Sequence, residues 1–126
     1  MSAPVRQSPR LAEKATTAAL IAEREAFKAA LVARIREYTN TVMRNARAFA
    51  DTQYSDDLAA ARATMAAAYE HARLLPKRQR KTVRRPAVAE YKAACAQAAA
   101  VMNATMASAR ALTVTYANTL IDAHRM

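Results

Sequence analysis

Six cations stand between two prolines in the stretch LLPKRQRKTVRRPAVAEY, Leu74 to Tyr91: Lys77, Arg78, Arg80, Lys81, Arg84 and Arg85. Guanidinium forks match the oxygens of a phosphate, and a run of them can follow a phosphate backbone without reading bases. A second basic set lies upstream. Arg36, Arg44 and Arg47, with Lys14, point away from an apolar helical stripe, and Arg6 and Arg10 sit on or beside an N-terminal arm. The chain carries a formal charge of +10, from 20 Lys and Arg against 10 Asp and Glu. Two basic surfaces on one small chain point to a polyanion, with nucleic acid ahead of an anionic membrane. The blander alternatives for the 77–85 run are a nuclear localisation signal or a solvated loop.

Other chemistry finds little footing. The chain has no glycine, so no Gly-rich phosphate loop is available. His71 and His124 lie far apart and lack a Cys or His at metal-ligand spacing. Cys95 is the one cysteine and falls on an apolar seam, which argues against an activated thiolate and excludes a disulfide within the chain. The acidic pairs Glu23/Glu25 and Asp56/Asp57 read as helix-face and helix-start charges. The expectation is a protein that is not an enzyme and uses no cofactor and no metal. No helix-turn-helix, zinc-finger or RNA-recognition pattern is present, and the few aromatics fall on apolar stripes, so sequence-independent, salt-sensitive binding is expected.

The elements that hold these cations follow from composition. With 126 residues, one domain is expected. Thirty-five residues are alanine, the best helix former, but an alanine buries little area. Without glycine, β-hairpins become awkward. The fold class is all-α: a basic arm over 1–8, a long helix over 9–50, a shorter helix over 55–75, a basic linker over 76–86 and a long Ala-rich helix over 87–123. Ser8 followed by Pro9 reads as a helix start. Leu20, Phe27, Leu31, Ile35, Tyr38, Val42 and Phe49 share one face of the first helix, with Arg24 as the exception, and YTNTV at 38–42 is expected to hold a bend.

DTQYSDD at 51–57 reads as a break, with Ser55 capping the next helix, and Pro86 reads as the start of the last one. There, Val88, Tyr91, Cys95, Ala98, Met102, Thr105, Ala109, Leu112, Tyr116 and Thr119 alternate steps of three and four. Arg110 is the only charge between Lys92 and Asp122, so burial on several sides is expected, in a bundle rather than a membrane. The N-terminal stretch shows neither a signal-peptide core nor a lipidation motif.

The layout from SAPVRQSPR through the first helix to AACAQAAAVMNATMASA resembles the α-helical major capsid proteins of filamentous viruses of hyperthermophilic archaea. The resemblance implies a helical-bundle subunit that forms a homo- or heterodimer with a related subunit. Such dimers wrap double-stranded DNA, held in A-form, and stack on neighbouring subunits in a filament. It further implies residence in a virion, with assembly in the host cytoplasm, and an outer lipid envelope in some members. Carried onto this chain, Arg6, Arg10, Lys14, Arg36, Arg44 and Arg47 would face DNA. Lys77, Arg78, Arg80, Lys81, Arg84 and Arg85 would form a second contact, although the basic linker departs from the family layout. The functional expectation is a structural nucleoprotein. The alternative is a helical self-assembly or peripheral membrane protein that binds no nucleic acid.

Overall fold

A computed structural model describes residues 9–125. The arm over 1–8, with Arg6 and the Ser8 cap, lies outside the described residues. The rest is an antiparallel hairpin of two helices, α1 (Pro9–Arg73) and α2 (Lys77–Ala123). At 1.5 Å per residue they are about 97 Å and 70 Å long. The all-α expectation holds. The four-segment layout between residues 9 and 123 is corrected to two helices, and each correction has a physical cause.

No break occurs at 51–57, because nothing there forbids a helix. Asp, Thr and Ser are weak helix formers, but Gln53, Tyr54 and Leu58 are half-buried against α2, and packing overrides a propensity penalty of tenths of a kcal/mol per residue. Nor does YTNTV interrupt the helix. Tyr38, Thr39 and Val42 are half-buried, and the Tyr38 ring stacks on Tyr116 with centroids 3.8 Å apart.

The basic linker is no linker either: Lys77 begins α2. Pro76 alone makes the turn. It pushes Leu75 out of the α region and ends α1. It then serves as the N-cap residue of α2 at φ −56° and ψ 148°, with no side-chain cap. Leu74 and Leu75 donate their amides to the carbonyls of His71 and Ala72, both at 3.1 Å, and Gln79 donates to Pro76 at 2.9 Å. Pro86 sits inside α2 instead of starting a helix. Its missing N–H leaves the Thr82 carbonyl without its usual donor, a cost of about 3 kcal/mol in a helix interior. Strong helix formers before it and the burial of Ala87, with Val83 and Val88 half-buried, hold the helix together.

The two helices meet along alanines. Ala50, Ala61 and Ala72 are buried in α1, and Ala87, Ala98 and Ala109 in α2, each eleven residues from the next. Eleven residues make three turns of 3.67, so on a helix of 3.6 residues per turn the seam winds slowly, by about 20° every eleven residues, against about 20° in the opposite sense every seven residues for a heptad repeat. The expected seam of α2 is corrected in part. It follows the three-and-four alternation to Ala109 and again at Tyr116, which is half-buried and stacked on Tyr38. Leu112 is 56% exposed and Thr119 is exposed, and the buried position passes to Thr113. The expected burial of α2 on several sides is not met within the chain, since only one edge of the helix is covered.

Two variants check this packing. Ala98→Leu forces a branched side chain into a buried position of the seam and is expected to cost about 1–3 kcal/mol in chemical denaturation followed by circular dichroism, while Ala59→Leu on the exposed side changes little. Pro86→Ala restores a backbone bond and is expected to raise the melting temperature.

Candidate nucleic-acid interface

The eleven-residue period decides where each cation lies. Residues eleven apart share an azimuth, so Arg36 and Arg47 form one file along α1, continued by Lys14 on its N-terminal part. Arg62 and Arg73 each directly follow a seam alanine, as Arg110 follows Ala109 in α2. In an antiparallel pair of right-handed helices, residues one step past the seam fall on the same side of both.

The grooves beside the seam agree with this geometry. One is lined by Arg47, Asp51 and Ala50 from α1 and by Asn103, Met106 and Arg110 from α2. Lys81 and Lys92 share the file of Asn103, Arg84 that of Met106, and Lys77 that of Arg110. The Arg84 guanidinium lies 5.5 Å from the centre of the Tyr69 ring, and Tyr69 belongs to the Arg36–Arg47 file. The grooves on the other side are lined by Asp57, Ala60, Thr64 and Gln97, and by Glu90. The hairpin therefore has a basic broad face and an acidic one.

Of the expected contacts, Arg36, Arg44, Arg47, Lys77, Lys81 and Arg84 are brought to the basic side, and all are exposed. Arg44 lies at its outer edge. Arg78 and Arg85 turn outward and, with Lys81 and Thr82, line a shallow surface beside Pro86 on the outer edge of α2. Arg80 is half-buried, and its Nε donates to the Leu75 carbonyl at 3.1 Å. It braces the turn, which corrects its expected place among the free cations. Arg10 and Lys14 lie on exposed helix far from the turn, and Arg6 lies outside the described residues.

Sequence reasoning missed Arg62, Arg73, Lys92 and Arg110. The signal was their spacing from the buried alanines, which cannot be picked out while alanines occupy every face. Arg73 is partly engaged, its Nη1 3.1 Å from Glu70 Oε1, and Asp51 and Glu25 are acids within the basic files. The start of α2 carries no acidic residue in its first turn, so its free N–H groups add to the positive potential at the turn.

Among the described residues, no three His, Cys, Asp or Glu side chains are grouped to hold a metal ion, and no helix is long and apolar enough to cross a membrane. Cys95 is half-buried on the flank of the seam. His124 is exposed, with its ring edge-on to Phe27 at 4.9 Å. No known family model, no curated protein and no solved structure matches this chain.

Bracing and binding separate by mutation. Arg80→Ala is expected to lower the melting temperature by a few degrees, through loss of a hydrogen bond worth about 1 kcal/mol, with little change in polyanion affinity. Arg84→Ala is expected to do the reverse, as read by thermal melts and heparin elution.

Proposed function

We propose that this protein is a structural nucleoprotein subunit that lays one broad face of its helical hairpin along double-stranded DNA, as the capsid subunit of a filamentous virion. One observation carries the reading: Arg36, Arg47, Arg62 and Arg73 of α1 lie on the same side of the seam as Lys77, Lys81, Arg84, Lys92 and Arg110 of α2. From Arg36 to Arg73 the cations span about 55 Å in a slowly winding array. That is the length of about 16 base pairs at 3.4 Å each. Phosphate contacts of this kind carry no sequence information.

The shape supports a subunit. The chain exposes 10288 Å². A compact monomer of 13.8 kDa exposes about 6,600 Å². Among the described residues no side chain is both large and fully buried. Surface of this extent suits stacking on neighbouring subunits. A lipid envelope and an A-form duplex rest on the resemblance alone.

Purified protein is expected to bind duplexes of unrelated sequence with similar affinity. With about five phosphates neutralised, log K falls against log salt with a slope near −4.5. Changing Arg47, Arg62 and Arg110 together to Gln is expected to flatten that slope by about 2–3. The triple variant Ala60→Glu, Thr64→Glu, Gln97→Glu shifts the net charge equally on the other side and is expected to leave the slope in place. Equal effects from the two sets, or a flat salt response of the wild type, would sink the proposal.

A further inference from the structure

α1 outruns α2. The end of α2 lies beside Phe27, where His124 meets that ring, so the part of α1 before it has no partner among the described residues. Every residue from Arg10 to Ala30 is exposed, among them Leu20 at 52% and Phe27 at 51%. Leu20, Glu23, Phe27, Ala30 and Arg34 follow one another in steps of three, four, three and four, which makes a seam on the side away from the basic files. A groove leads into it, walled by Leu20, Phe27 and Leu31 on one side and by Ile121 and His124 at the end of α2.

That seam is self-complementary. Two copies crossing antiparallel with residue 27 opposite residue 30 place Phe27 against Ala30 of the partner subunit, large against small, twice over. The same register sets Glu23 opposite Arg34 of the partner subunit, and Arg34 opposite Glu23 of the partner subunit. Within one chain these two charges are eleven residues apart, about 16 Å along the helix, and cannot meet. The one ion pair among the described residues is Arg73 with Glu70. A symmetric homodimer needs one patch that fits itself, and opposite charges at equal distances on either side of a Phe27–Ala30 centre meet that need. It also takes up apolar side chains that the chain leaves in water.

We infer that the face of α1 carrying Glu23, Phe27, Ala30 and Arg34 forms a two-fold antiparallel interface with a second copy of this chain, centred between Phe27 and Ala30 and locked in register by two Glu23–Arg34 ion pairs. The interface lies away from the basic face and stands independently of the nucleic-acid reading. It is tested without DNA.

Sedimentation equilibrium of the nucleic-acid-free full-length protein at moderate salt is expected to give twice the chain mass. Glu23→Arg and Arg34→Glu, each alone, place like charges at both sites and are expected to raise the dissociation constant at least tenfold with helix content unchanged. Two recoveries are specific to this register. An equimolar mixture of the two single variants is expected to form a heterodimer, and the double variant Glu23→Arg/Arg34→Glu is expected to dimerise as the wild type does. A monomeric wild type, single variants that associate normally, or a mixture and double variant that both stay dissociated would each overturn the inference.

Discussion

The burial of one alanine every eleven residues on each helix is the constraint on which the rest of this structure depends. One buried methyl group is worth about 0.8 kcal/mol, against about 1.5–3 for a buried leucine or phenylalanine. The hairpin thus has many shallow contacts and no deep ones. Small residues at the seam keep the helices close, and a close, straight pair has two shallow grooves and two broad faces in place of an enclosed core. Each larger side chain is pushed to the flank of the seam, half-buried at best. The fold is less a container for a site than a narrow plate with two sides.

Those sides are chemically distinct for a reason that lies in the repeat. A seven-residue repeat lags a straight helix by about 20° every seven residues, whereas an eleven-residue repeat leads it by about 20° every eleven, so the charged files wind more slowly and Arg36 and Arg47 look nearly the same way as the cations at the start of α2. The side that holds Asp57 and Glu90 also carries the exposed Leu20 and Phe27 farther along α1. The proposed nucleic-acid face and the proposed dimer face therefore draw on different residues of α1.

Much of this was legible in the sequence. An alanine-rich chain without glycine reads as all-helical, and Pro76 reads as a turn. Clustered charge pulled the reading off course twice. DTQYSDD looked like a helix start because Asp and Ser suit that place, but half-buried Gln53 and Tyr54 hold it in the helix. The cations between the prolines looked like a connector because Pro86 suits a first turn, yet arginine and lysine are good helix formers and one missing N–H is tolerated. The basic face was only partly legible. Arg36, Arg44 and Arg47 stood out against an apolar stripe. Arg62 and Arg110 did not, because each is flanked by an alanine on both sides in sequence, and only burial tells a seam alanine from the others.

The length of α1 has a consequence for how the molecule moves. A hairpin about 97 Å long and two helices wide has far greater friction than a sphere of equal mass, and without glycine it has no joint at which to fold up. It tumbles slowly about its short axes and quickly about its long one. In a crowded solution such bodies exclude one another least when aligned, so parallel order costs the chains little orientational freedom once their concentration is high.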